Sequence, residues 1–261
     1  MSLFHHGNKK QSNETIHNGA QLIAAVHPKS PISEQFRTLR TNINFMAIDH
    51  PIKTLALTSA NVSEGKSTVT DNLAIVWAQT GQKVLLVDAD LRRSTLHRTF
   101  NLDNREGLTT ILTSRARTVD LNKIIQPSGV DNLSLLPSGP TPPNPAELLS
   151  SQRMKDFLKA ARERYDMVIV DVPPMLEVTD TQVISHDLDA VVLVIKQGQT
   201  QKLGAKRAVE LLKMAHANLL GYVMNDVVSD SGAGYGYGYG YGYGYGYGND
   251  GDGYGNDGDD K

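Results

Sequence analysis

The sequence contains no cysteine. That excludes a disulfide framework and any thiolate zinc site, and it points to a reducing compartment, the cytoplasm being the simplest. No segment approaches the roughly 18 consecutive apolar residues of a membrane-spanning helix. The opening stretch, MSLFHHGNKKQSNET, has no apolar core of the signal-peptide kind. Work at a membrane would therefore require a partner to hold the chain there. The formal net charge is only −2, so no global basic field marks a nucleic-acid binder. The eight histidines are scattered and never reach the HExxH spacing of a zinc enzyme. The acidic ending DGDGYGNDGDD has the look of a calcium loop, but twelve residues from Asp250 stands Lys261, where glutamate is needed.

What is present begins with alternation. Strand-like runs at Thr54–Thr58, Val84–Asp88, Leu133–Pro137, Met167–Asp171, Ala190–Ile195 and Leu219–Asn225 are mostly continuous apolar stretches, as buried parallel strands are. Helix-like stretches at Ser67–Gln79, Ala146–Arg164, Thr179–His186 and Leu203–Ala215 lie between them. This predicts an α/β fold: a parallel sheet with helices on both faces and ligands at the carboxyl ends of the strands. A further helix is expected over Ser33–Ile48, with Ser33 as its N-cap and Phe36, Leu39, Ile43 and Met46 on its apolar face. The proline-rich segment Pro137–Pro145 reads as a long loop within one domain. The boundaries expected are a flexible arm over 1–30, a folded domain over 31–228 and a tail over 229–261.

Three segments carry chemistry. ANVSEGKS, residues 60–67, follows a strand and opens a helix; it fits a phosphate loop except that Ala60 replaces the first glycine. Backbone N–H groups of Ser63, Glu64, Gly65 and Lys66 would cradle phosphates. The Lys66 ammonium would reach the β/γ-phosphates and the Ser67 hydroxyl would meet Mg²⁺, with Thr68 next in the same helical turn. VLLVDADLR ends an apolar strand in Asp88, with Asp90 two residues on. MVIVDVPP ends another in Asp171, the arrangement that orients a water on Mg²⁺. Together they predict a phosphate-loop domain that hydrolyses ATP or GTP or transfers its phosphoryl group with Mg²⁺.

The tail is of another kind. Tyr235, Tyr237, Tyr239, Tyr241, Tyr243, Tyr245 and Tyr247 alternate with glycine, and Tyr254 follows. Glycine at every second position offers nothing to pack and carries the largest backbone entropy, so this segment is expected outside any core, its hydroxyls accessible. A coil of the roughly 36 residues after Asn225 spans roughly 30–36 Å, about a domain's width.

With SANVSEGKSTVTDNLA, VLLVDADLRRSTLH, PSGPTPPNPAELLSS and YDMVIVDVPP in this order, the chain resembles the bacterial phosphate-loop tyrosine kinases of capsular and exopolysaccharide biosynthesis, in their split cytoplasmic form. The resemblance implies ATP as the nucleotide and catalytic roles for Lys66, Asp88, Asp90 and Asp171. Asp88 would be the metal-associated base, Asp90 its support, and Ser67 with Asp171 the other metal contacts. It implies an adenine contact at Asn225, phosphoacceptors among the tail tyrosines, and a subunit contact in a ring-shaped homo-oligomer at Glu34, Arg37 and Arg40. It further implies a separately encoded membrane activator of the chain-length type, whose cytoplasmic segment recruits the kinase to the inner face of the membrane, and a cognate tyrosine phosphatase. The family often has Pro-Gly where this chain has Val62-Ser63, and proline where it has Ser94. Ser63 is therefore expected in a backbone geometry that glycine would suit better, at some cost in nucleotide affinity. Two alternatives stay open: a partitioning-type ATPase, which would have lysine where this chain has Asn61, and a nucleotide-gated assembly protein with an adhesive Tyr/Gly tail.

Overall fold

The computed structural model describes residues 18–47, 51–114 and 119–227. The apolar runs form strands β1 (Thr54–Ser59), β2 (Val84–Asp88), β4 (Leu133–Leu136), β5 (Met167–Asp171), β6 (Ala190–Lys196) and β7 (Leu219–Asn225), and a two-residue β3 (Gln126–Pro127) joins them at one edge. Their order is β3-β4-β2-β5-β1-β6-β7, every pair parallel except β3 with β4. The helices are α1 (Ile23–Val26), α2 (Pro31–Met46), α3 (Lys66–Ala78), α4 (Leu96–Thr99), α5 (Leu108–Thr113), α6 (Leu121–Ile124), α7 (Pro145–Leu149), α8 (Gln152–Arg164), α9 (Asp180–Ser185) and α10 (Lys202–Met214).

Successive side chains of a strand point to opposite faces, so each apolar strand feeds two cores. Leu55 and Leu57 of β1, Leu86 of β2 and Ile169 of β5 pack with Ile43 of α2 and Val69, Leu73 and Trp77 of α3. Ala56, Val87, Val168 and Val170 face the other way, against Leu108, Leu149, Phe157, Ile184 and Leu212 from α5, α7, α8, α9 and α10. Leu136 and Leu149 flank the proline-rich loop and belong to this one cluster. β1, β2 and β5 are buried along their whole lengths. That burial is why they read as unbroken apolar runs.

The structure departs from expectation in four places. Helix α2 begins at Pro31, and its N-cap is Ser30, whose Oγ accepts from the Ser33 amide at 3.2 Å; Ser33 lies inside the helix, buried, its hydroxyl donating to the His27 carbonyl at 2.8 Å. Proline fits the first helical position, where no intrahelical N–H bond is lost. Met46 is 57 % exposed rather than part of the apolar face. The helix expected over 146–164 is two helices, because Ser151 leaves helical geometry and caps the Met154 amide. Residues 18–30, expected in a flexible arm, are packed: Ala24 is buried, and its amide donates to Asn72 Oδ1 of α3 at 2.9 Å.

Candidate active site

The strands that end in Asp88 and Asp171 are neighbours in the sheet. Asp88 and Asp171 are directly paired in the parallel register of β2 and β5, while Asp171 pairs with Leu57 of β1 on its other side. The chain leaving β1 forms the phosphate-type loop and enters α3 at Lys66. The topology thus delivers loop, Asp88 and Asp171 to one rim.

Inside the rim the groups touch. The Lys66 ammonium donates to Asp171 Oδ1 at 2.7 Å, lies 3.3 Å from Ser67 Oγ and stands 3.7 Å from Asp90 Oδ2. Ser67 Oγ donates to Asp171 Oδ2 at 2.7 Å, and Thr70 Oγ1 lies 3.3 Å from Asp171 Oδ1. Asp88 Oδ2 accepts from the Thr95 and Leu96 amides at 3.1 and 3.2 Å, and its Oδ1 accepts from the Asp90 amide at 3.2 Å. Lys66, Asp88, Asp90 and Asp171 are all buried.

Burial lowers the proton affinity of Lys66, but Asp171 and Asp90 outweigh it and hold the ammonium charged. Burial is the main reason Asp88 is pushed up to about 8, helped by the charges of Asp171 and Asp90 and opposed by Lys66. One buried ammonium faces three buried carboxyl groups, so the site has more acidic groups than cations to balance them. The donors are all hard oxygens, the set that suits magnesium rather than a soft metal. Among the described residues no group of three His, Cys, Asp or Glu side chains converges to hold a metal alone. Magnesium does not need one: it keeps several waters and binds through one or two carboxylates together with substrate phosphates.

The loop is held from within. Glu64 is buried, and its Oε2 accepts from the Ala60 and Asn61 amides at 2.9 and 3.1 Å. Ser63 has φ +62, the left-handed region in which glycine is at ease and a side chain is strained. Gly65, at φ +87, leads into the helix. Asn225, at the end of β7, donates from Nδ2 to the Glu64 carbonyl at 3.1 Å, and a Cβ on Gly65 would lie 1.9 Å from that nitrogen. Gly65→Ala therefore combines backbone strain with a clash; ATP affinity measured by calorimetry is expected to fall at least tenfold, and an unchanged affinity would mean that Asn225 yields freely. Thr68 is half-buried, and its carbonyl accepts from Asn72 Nδ2 at 2.8 Å.

Four participants were not anticipated from the sequence. The Glu64 carboxylate spans the loop start, whereas the loop's spacing points only to its backbone amide. Thr70 and Asp71 sit three and four residues after Ser67, on the same helix face. Arg92 forms a two-point pair with buried Asp180, Nε to Oδ2 at 2.8 Å and Nη2 to Oδ1 at 3.0 Å, tying the segment after β2 to α9. The sequence carried no clear signal for Thr70 and Asp71, because the first half of α3, KSTVTDN, is polar at nearly every position.

Glu34 and Arg37 form an ion pair, and Arg37 also donates to the Pro28 carbonyl at 2.6 Å. Arg40 donates to the Val76 carbonyl near the end of α3. Tyr235, Tyr237, Tyr239, Tyr241, Tyr243, Tyr245, Tyr247 and Tyr254 lie outside the described residues.

A parallel sheet with a lysine-bearing loop at one strand end and aspartates closing the adjoining strands defines a phosphate-loop nucleotide-binding protein. The AAA domain family matches residues 52–221. Tyrosine-protein kinase YwqD of Bacillus subtilis (strain 168) is 48 % identical over 204 residues, 78 % of this chain and 85 % of YwqD. Tyrosine-protein kinase etk of Escherichia coli (strain K12) is 37 % identical over 219 residues, which are 83 % of this chain and 30 % of etk. The solved kinase domain of the Escherichia coli tyrosine kinase ETK superposes with a TM-score of 0.77 at 36 % identity, covering 84 % of this chain and 85 % of that one. The chain belongs to the bacterial tyrosine-protein kinase family. Among the described residues no helix is long and apolar enough to cross a membrane.

Proposed function

We propose that the chain transfers the γ-phosphoryl group of ATP, with Mg²⁺, to tyrosines 235–247 and 254 of a neighbouring copy, and that this regulates capsule or exopolysaccharide synthesis. The observation that carries the reading is the buried contact set of Lys66, Ser67 and Asp171, with Asp88 in register beside it. Magnesium, when bound, would offset the charge of the phosphates and of the transferring group. Ser67, Asp88 and Asp171 are the residues that would hold it, directly or through water.

A tyrosine hydroxyl has a pKa near 10 and is a weak nucleophile at neutral pH. Asp88, which would be ionised once a bound cation offsets its neighbouring carboxylates, accepts the tyrosine proton, while the tyrosine oxygen bonds to the γ-phosphorus and the bond to the ADP oxygen breaks. Lys66, released from Asp171, follows the phosphate oxygens. Asp90 keeps Lys66 in the site, and its Oδ1 accepts from the Arg93 amide at 3.0 Å. The backbone of Ser63, Glu64, Gly65, Lys66, Ser67 and Thr68 lines the phosphates, and Asn225 turns toward the adenine.

Glu34, Arg37 and Arg40 contribute the contact between copies in a ring. The cytoplasmic segment of a membrane activator brings the ring to the inner face of the membrane, and a cognate phosphatase resets the tail. The partitioning-ATPase alternative is disfavoured by the relatives, which are named tyrosine-protein kinases.

Transfer between copies is tested by mixing. A Lys66→Met chain with an intact tail is combined with an otherwise unaltered chain truncated after residue 228. Phosphotyrosine is expected on the Lys66→Met chain only when the truncated chain is added. Labelling of full-length unaltered chains at a rate independent of their concentration, with none in the mixture, would place the reaction within one copy.

A further inference from the structure

The segment before α1 is fastened to the far side of the site. The Ala20 amide donates to Thr99 Oγ1 at 2.9 Å, and Asn72 Nδ2 donates to the Gln21 carbonyl at 2.7 Å. Gly19 has φ +80 and lies directly on α4: a Cβ there would stand 2.6 Å from both Cα and N of Thr99. Only glycine satisfies both conditions.

Thr99 is the junction. Its hydroxyl accepts from Ala20 and donates to the Thr95 carbonyl at 3.1 Å, closing the short helix on itself. Thr95 and Leu96, at the other end of this helix, supply the two amides that hold Asp88 Oδ2. Asp71 of α3 is buried, and its Oδ2 has no hydrogen-bond partner. A continuous set of contacts therefore runs from the backbone of residues 19–20, through Thr99 and one turn of helix, to the Asp88 carboxylate.

We infer that residues 19–20 form a strap that keeps Asp88 in its reacting orientation through Thr99, making Thr99 a positioning residue for phosphoryl transfer. The inference rests on the reading of Asp88 as the proton acceptor. A strap of this kind links what happens N-terminal to the domain with the rate of the chemical step, leaving the nucleotide's own contacts alone. Neither strap residue nor Thr99 belongs to the loop or strand ends that meet the phosphates, so the effect falls on turnover and not on ATP binding.

The test uses the full chain in two measurements. The first is hydrogen–deuterium exchange of the nucleotide-free protein, read at the Thr95 and Leu96 amides. Thr99→Val, which keeps shape but removes the hydroxyl, is expected to speed exchange there about tenfold. Thr99→Ser, which keeps the hydroxyl, is expected to match the parent. The second is steady-state kinetics: Thr99→Val is expected to lower kcat about tenfold with the KM for ATP unchanged, and Thr99→Ser to restore it. Should Thr99→Val fail to fold, Gly19→Val carries the test, because it displaces the strap and leaves Thr99 intact; the same two changes are expected. Unchanged exchange at residues 95 and 96 in either valine variant would overturn the inference. So would equal losses in Thr99→Val and Thr99→Ser, which would mark a packing effect. If the parent chain never phosphorylates tyrosine, the proposed function fails, while the exchange measurement still decides whether the strap orders the helix that holds Asp88.

Discussion

Replacing Lys66 by methionine is expected to reduce tyrosine phosphorylation at least 10³-fold and to cost the nucleotide-free fold about 3–5 kcal/mol at neutral pH. The two effects share one cause. Lys66 is the ammonium that meets Asp171 at 2.7 Å and Asp90 at 3.7 Å in a buried site. Removing one partner of a buried pair leaves the other charge uncompensated, and that is worse than never having had the pair. Here three carboxylates lose their one cation. Asp171 and Asp88, both already raised by burial, respond by taking up protons, so the stability cost shrinks as pH falls. Urea unfolding at pH 5 and pH 8 measures this directly. A Lys66→Met chain as stable as its parent at pH 8 would show that the ion pair is not worth its desolvation. A chain that keeps its phosphorylation rate within tenfold would remove Lys66 from the chemistry.

Asp88→Asn is expected to abolish phosphorylation and yet stabilise the nucleotide-free protein. The unperturbed carboxyl titrates near 3.8 and the folded one is pushed up to about 8, so the native state holds the proton more tightly than the unfolded chain. That preference supports the fold in full below about pH 4 and is lost as pH rises through 8. The parent's unfolding free energy is therefore expected to decline between pH 5 and pH 8. Asparagine carries no charge at any pH, and its oxygen still accepts from the Thr95 and Leu96 amides. The variant should escape this decline and exceed the parent at pH 8 by on the order of 2–4 kcal/mol. Adding Mg²⁺ and a non-hydrolysable ATP analogue should reverse the ranking, since the parent offers the cation a second carboxylate beside Asp171. Parallel pH profiles for the two proteins would mean that Asp88 does not carry the excess charge.

The same residues show how far the sequence can be read. Asp88 and Asp171 were legible because each closes an apolar run, and a run buried on both faces has no alternation to confuse its end. Lys66 and Ser67 were legible because the loop's spacing is dictated by phosphate geometry. That β2 and β5 are neighbours was not legible: strand order follows from how the helices pack, and β4 lies between them in the chain. The Glu64 staple was hidden because a carboxylate bonded to amides three and four residues back leaves no spacing signature. The docked segment over residues 18–30 was hidden for a related reason. It is polar with a short apolar turn, and its bonds run to Asn72, Gln79 and Thr99, far away in sequence. The true cap of α2 was available. Ser30 before Pro31 is a stronger start signal than Ser33, because proline is placed best at the first helical position.

The most direct measurement is the intact mass of the full chain after incubation with ATP, Mg²⁺ and the cytoplasmic segment of its activator. The account predicts a ladder of steps of one phosphoryl mass, confined to the fragment after residue 228 and missing in Lys66→Met and Asp88→Asn. Tyrosines repeated at every second position need no single docking register, so the ladder should be graded, with no single product dominating. An unchanged mass under these conditions, with ATP bound and Mg²⁺ present, would contradict the account and leave a nucleotide-gated assembly protein in its place.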